Sequence, residues 1–289
     1  MSVLAVRVRI SGRVRAILLS TLVLALPSVM HAAPLNVLFL IIDDLRPELP
    51  SYGRTHVHAP NMERLAQQGV VFRNAYANVP VCGASRGSLF TGLRPTRTRF
   101  VGHQARMDLD TPTALPLFGA LKEQGYRTLS LGKVAHVTND FADFWSRPPW
   151  NPASEARVRR LQGHRDYLLP ENLQAIEDGG LGPPFEAADV PDDAYFSGQI
   201  AERAVRALEE LAGQQVPFFL AVGLLKPHLP FNAPRKYWNL YRTEDVHLPR
   251  VSQMPFNCLA RPGTIGASCA TTMKYLHRPR RCLKRWPEP

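Results

Sequence analysis

The sequence predicts an α/β fold with a mostly parallel sheet flanked by helices. Three observations carry that expectation. First, residues 36–43 (NVLFLIID) and 218–224 (FFLAVGL) are unbroken apolar runs rich in β-forming side chains. Such runs read as strands covered on both faces. Second, residues 193–212 are amphipathic, with Ile200, Ala204, Leu208 and Leu211 on one helical face. Third, strand-like and helix-like segments alternate along the chain, which is the pattern of parallel strands joined by crossover helices. The 289 residues are 45% hydrophobic and 20% charged. That composition excludes a disordered or fibrous chain and allows a sizeable core.

The elements follow in order. Asn36 to Asp43 is the first strand and ends in acids. Pro60 to Gly69 is a short helix with Gly at its end. Val70 to Phe72 is a second, short strand. Ser85 to Thr91 is a helix entered from a loop. Leu115 to Gly125 is a helix, and Tyr126 to Leu131 a strand. Residues 147–190 are loop-rich, carrying Pro148, Pro149, Gly179, Gly180, Pro183 and Pro184. The amphipathic helix 193–212 and the strand 218–224 complete the alternation. No internal repeat is present.

The net charge is +11, which raises the question of nucleic acid. Its distribution answers against it. Residues 1–33 hold four Arg and no acid, and residues 251–289 hold seven Lys or Arg and one Glu. Residues 34–250 hold 24 bases against 23 acids, so the body is nearly neutral. No basic binding face is expected there, and no nucleic-acid partner. Four Cys are too few for a disulfide scaffold.

Residues 1–33 read as a signal peptide. Arg7, Arg9, Arg13 and Arg15 form a basic start, Ala16 to Pro27 an apolar run, and Ala32 and Ala33 a small-residue cleavage site. The run is short for a spanning helix, so no stable membrane anchor is expected. The implied location is periplasmic or secreted. Residues 34–255 form the α/β domain. Residues 256–289 lose the strand and helix periods and gain basic residues, which marks an aberrant tail outside the fold, with the texture of out-of-frame translation.

In α/β sheets, ligands bind at the carboxyl ends of the strands. Asp43 and Asp44 end the first strand. Lys133 and His136 follow the second long strand, and Lys226 and His228 follow the third. Cys82-Gly-Ala-Ser-Arg86 precedes a helix. Adjacent carboxylates suit a hard cation such as Ca²⁺ or Mg²⁺, or else a solvated turn. Cys82 is either an activated thiolate at a helix N-terminus or a small buried hydrophobe. Two Lys and two His suit an anionic group, or else surface ion pairs.

Taken as a set, these segments resemble the sulfatase family of the alkaline phosphatase-like superfamily, and within it the iduronate-2-sulfatase-like subgroup. The resemblance rests on 36–53, 59–99, 125–137 and 217–231 and covers roughly 34–255. It implies an alkaline phosphatase-like fold and a sulfuric ester hydrolase acting on sulfated sugars or glycosaminoglycan-like substrates. It also implies roles. Asp43 and Asp44 are ligands of Ca²⁺ (or Mg²⁺). Cys82 is converted to formylglycine by a separate maturation enzyme, and in that form also meets the metal. The hydrated aldehyde would attack sulfur, so that one hard displacement becomes two easier steps. Arg86 steadies the hydrate, His136 contacts it, Lys133 and Lys226 bind sulfate oxygens, and His228 protonates the leaving oxygen.

The chain departs from the family pattern in two ways. Ala84 stands where the maturation motif usually has Pro. After Phe231 there is no Asp-His or Asp-Asn pair to complete a metal shell, and the family's smaller C-terminal subdomain is not found. The sequence is therefore expected to be a truncated sulfatase domain, with loss of activity in this form. Two other readings stay open at this stage: an alkaline phosphatase-like phosphoesterase or phosphonate hydrolase, and a non-catalytic anion-binding remnant.

Overall fold

The computed structural model describes residues 34–155, 165–242 and 244. The proposed signal peptide and basic tail lie outside the described residues. Three strands form one parallel sheet: β1 (Val37–Ile42), β2 (Arg127–Gly132) and β4 (Phe218–Leu224), in the order β1-β4-β2. The register pairs Val37 with Phe219 and Ile42 with Leu224 on one side of β4, and Arg127 with Phe218 and Gly132 with Gly223 on the other. All three carboxyl ends therefore lie along one edge.

The helices are α1 (Pro60–Gln68), α2 (Cys82–Thr91), α3 (Leu117–Glu123), α4 (Pro170–Glu177) and α5 (Phe196–Ala212), of which α2, α3 and α5 pack on this sheet. Alternation along β4 divides the core in two. Phe218, Leu220 and Val222 face α5, where Ile200, Ala204, Ala207 and Leu211 are buried against Leu129 and Leu131. Phe219 and Ala221 face the other way, toward Phe90 of α2, Phe118 of α3 and Trp145. There Phe118 stacks on Trp145 at 4.1 Å and meets Phe90 edge-on at 5.5 Å. Each large side chain buried this way contributes about 1.5–3 kcal/mol. The α/β expectation is met, with helices on both faces of a parallel sheet.

Two sequence expectations are corrected. Val70 to Phe72 is not a strand: Val70 is 80% and Phe72 72% exposed, and neither has a ladder partner. Intrinsic preference without a neighbouring strand does not make a sheet. The first strand is covered on one face only. It lies at the edge of the sheet, with Val37, Phe39 and Ile41 on the core and Leu38 and Leu40 about half exposed. The described part of 147–190 is mostly loop, as expected, and it also holds α4 and the two-residue strand β3 (Phe185–Glu186), which pairs in parallel with β5 (Phe231–Asn232). No helix among the described residues is long and apolar enough to cross a membrane.

Candidate active site

The site is built from the ends of β1, β2 and β4 and from the start of α2. Asp43 directly follows β1, and its N–H donates to the carbonyl of Leu224 in β4 at 3.1 Å. Its carboxylate is 4% exposed and turned inward. Arg86 donates from one terminal nitrogen to Asp43 Oδ1 at 2.8 Å. The other terminal nitrogen donates to the carbonyls of Lys133 and Val134 at 2.6 and 2.7 Å. Lys133 Nζ donates to Asp43 Oδ2. One buried carboxylate thus holds two cations from two different elements. Burial alone would raise the Asp43 pKa, but the attraction of Lys133 and Arg86 overcomes it and holds the carboxyl below its ordinary value.

Two glycines allow this approach. Gly132 ends β2 at φ 75, where a Cβ would lie 2.2 Å from the carbonyl oxygen of Gly223. Only a residue without a Cβ lets the two strand ends close, and Lys133 N–H then donates to that same oxygen at 2.8 Å. Gly83, beside Cys82, has the backbone oxygen of His103 only 2.2 Å from where its Cβ would be.

Cys82 is the first residue of α2, half-buried and in no disulfide. Arg86 lies four residues on, so both occupy one face of the helix. The open cavity of about 440 Å³ lined by Thr91, Arg99 and Asp110 sits at the opposite end of α2 and receives none of the predicted site residues.

His136 follows β2. Burial first, then the charges of Lys133 and Arg86, push its pKa down to about 4. Its buried Nδ1 has no hydrogen-bond partner among the described residues. Asp44 takes a left-handed backbone at φ 56, and its side chain is 61% exposed. Its Oδ2 is 3.9 Å from His228 Nε2. His228 Nδ1 is 2.7 Å from the Leu229 carbonyl, which accepts when that nitrogen carries hydrogen. Lys226 Nζ donates to the Pro230 and His228 carbonyls at 2.7 and 3.3 Å. The structure therefore ties Asp43, Arg86 and Lys133 into one knot, with Asp44 near His228 and Lys226 in the adjoining loop.

The donor chemistry of Asp43 and Asp44 is that of a hard-cation site, which ordinarily takes six or more oxygens. Here both Asp43 oxygens already accept from protein cations, and Asp44 is turned to solvent. Among the described residues no group of three or more Asp, Glu, His or Cys is placed to hold an ion. The described residues by themselves do not fit the Ca²⁺ or Mg²⁺ shell expected of Asp43, Asp44 and Cys82.

Sequence reasoning missed a second polar cluster behind Lys226. Asp166, Glu186 and Asn232 are each 3% exposed or less. Glu186 accepts from the Leu168 and Leu169 N–H groups, Asn172 Nδ2 and the Tyr195 hydroxyl. No local signal marks these residues as buried.

The model of the Sulfatase family matches residues 35–273. Mouse (Mus musculus) iduronate 2-sulfatase is 38% identical over 231 residues, covering 76% of this chain and 40% of the relative. The human (Homo sapiens) enzyme of the same name is 37% identical over the same length and coverage. The chain thus spans 40% of the length of these curated relatives. Among solved structures, a phosphonate monoester hydrolase from Silicibacter pomeroyi superposes with a TM-score of 0.54 at 24% identity. That match covers 75% of this chain and 46% of that one, and it shows the alkaline phosphatase-like fold. The matched span takes in every site residue described above, and the chain belongs to the sulfatase family.

Proposed function

We propose that the site hydrolyses sulfate esters, with Cys82 as the position matured to formylglycine. The observation that carries the reading is the Cys82–Arg86 face of α2, docked through Arg86 onto the Asp43–Lys133 pair. Cys82 fits the modification: it is an unpaired, half-buried thiol at a helix start, where the backbone N–H groups face a developing negative charge. Formylglycine at this position would supply an aldehyde hydrate, whose oxygen would displace the alcohol oxygen from sulfur as that S–O bond breaks.

The remaining roles belong to the chain's own residues. Arg86 fixes the start of α2 against β1 and β2 and neutralises Asp43. Lys133 and Lys226 supply positive charge for the sulfate oxygens. His228 is set up as the acid. With Nδ1–H donating to the Leu229 carbonyl, Nε2 is the nitrogen left to hand over a proton, and Asp44 Oδ2 lies 3.9 Å from it. His136 stays neutral near pH 7 because burial and two neighbouring cations disfavour its charge. It therefore acts as a hydrogen-bonding contact and not as an acid.

The relatives named iduronate 2-sulfatase support a sulfated sugar as the substrate class, acidic sugars included. Residues 1–33 would direct the chain to the periplasm or the outside, where such esters are met, and a maturation enzyme is its implied partner.

The test has two parts. The chain is produced with a formylglycine-generating enzyme, and the mass of the Cys82 peptide is read for conversion of –CH₂SH to –CHO. Sulfate release from an aryl sulfate and from sulfated disaccharides is then followed with a chain completed to the length of its relatives. An unconverted Cys82 together with no sulfate release from any of them would overturn the reading.

A further inference from the structure

Asp166 is a buried carboxylate with no place in the chemistry above. It is 1% exposed and adopts a left-handed backbone at φ 65. Its Oδ2 accepts from the N–H of Phe196, the first residue of α5, at 2.8 Å. Its own carbonyl accepts from Asn232 Nδ2 at 3.0 Å, and the Arg165 carbonyl accepts from the same group at 2.8 Å. The next residue of α5, Ser197, accepts through Oγ from the backbone N–H of Lys226 at 3.3 Å. A ring of contacts therefore runs from Asp166 through the α5 start to Lys226. It returns from Lys226 through the Pro230 carbonyl and Asn232 to Asp166.

The ring closes around a partly buried ammonium. The charges of Asp166, Lys133, Asp43 and Glu186 act on Lys226. Burial pushes Lys226 down from the ordinary lysine range and pushes Asp166 up from the ordinary carboxylate range, while the two attract each other. A carboxylate left in such a place without a charged neighbour would cost more than a helix cap returns.

We propose that Asp166 is a positioning residue for Lys226, anchoring the helix end on which the Lys226 backbone rests and acting on its ammonium from within the same hydrogen-bonded ring. The inference rests on the sulfate-binding reading only for what Lys226 holds. The Asp166–Lys226 coupling is testable without turnover.

The test is lysine side-chain NMR of the full chain across pH, with the Lys226 signal assigned by its loss in Lys226→Met. Asp166→Asn keeps an oxygen to accept from Phe196 N–H and removes the charge. We expect it to lower the Lys226 titration midpoint by about one unit, a tenfold change in proton affinity. It should also weaken the Lys226 shift response to added sodium sulfate several-fold. A purely structural cap would leave the midpoint where it is, and an unmoved midpoint in folded Asp166→Asn overturns the proposal. If Asp166→Asn does not fold, the converse measurement serves. In Lys226→Met the Asp166 carboxyl should titrate higher than in the wild type, and an unchanged Asp166 midpoint overturns the proposal equally. A wild type that ignores sulfate while the midpoints move would count against the sulfatase reading and leave the Asp166 role supported.

Discussion

Arg86 and Asp43 meet at 2.8 Å between α2 and the end of β1, with side chains only 6% and 4% exposed. The same guanidinium also closes on two backbone carbonyls after β2. One side chain thereby fastens the helix that carries Cys82 to two strand ends. A planar fork with several donors is needed for that, and a lysine would not reproduce it.

Arg86→Leu should therefore destabilise the chain by about 3–5 kcal/mol, because it leaves a buried carboxylate half-paired and two carbonyls without a donor. Adding Asp43→Asn should recover part of that loss, since the two residues share one interaction. Urea midpoints of the two single variants and the double variant measure it. Strictly additive losses would mean that the pair is not coupled.

In a chain completed to the length of its relatives, Cys82→Ala should abolish sulfate release in any host, because no oxidation can supply the aldehyde. It should leave the melting temperature nearly unchanged, since Cys82 is half-buried and unpaired. Cys82→Ser should behave the same way unless the host oxidises serine. Retained turnover in Cys82→Ala would end the assignment.

His136 predicts a pH dependence of stability. Its folded pKa of about 4 lies below the ordinary 6.5. Between those values the unfolded chain binds a proton that the folded chain does not, so this group's stability is present above pH 6.5 and is lost as pH falls toward 4. Asp166, raised by burial, runs the other way: the folded chain holds its proton longer, so its contribution is lost as pH rises. The His136 effect is therefore read as a difference. Wild type minus His136→Gln should lose up to about 3 kcal/mol between pH 6.5 and 4, an upper bound because the ring is only partly buried. A flat difference would show that the histidine is solvated.

The sheet and its ligand edge were legible because β1 and β4 are continuous apolar runs and all three strands lead into the residues proposed for the chemistry. Asp43, Lys133 and Lys226 follow from that rule alone. What stayed hidden depends on pairing and burial across long separations. β3 meets β5 only because Phe185 reaches Phe231, and no local pattern announces a two-residue ladder. Asp166 and Glu186 sit in a Pro- and Gly-rich stretch, where acids read as solvated, yet folding encloses both. The Val70–Phe72 expectation failed for the converse reason: its residues prefer a strand, and none of the described strands pairs with them.

The last prediction concerns the glycine that lets Lys133 reach Asp43. Gly132 and Gly125 both have left-handed backbones, at φ 75 and φ 85. An alanine at either pays roughly 1–2 kcal/mol for that conformation. Their surroundings differ. A Cβ on Gly125 meets nothing within 4 Å, whereas one on Gly132 falls 2.2 Å from the Gly223 oxygen and 2.8 Å from Ile200 Cδ1. The Gly223 oxygen is backbone in the central strand and cannot swing aside. Gly132→Ala must therefore push β2 from β4 at the point where Lys133 begins, adding about 1–3 kcal/mol of overpacking. Gly125→Ala should lose only the conformational part. Gly132→Ala should lose the sum, and with it the Lys133–Asp43 pair, read as a weaker response of Lys133 to sulfate. Equal losses in the two variants would show that the strand ends have room to separate and that the close approach of Gly132 to Gly223 does not set the position of Lys133.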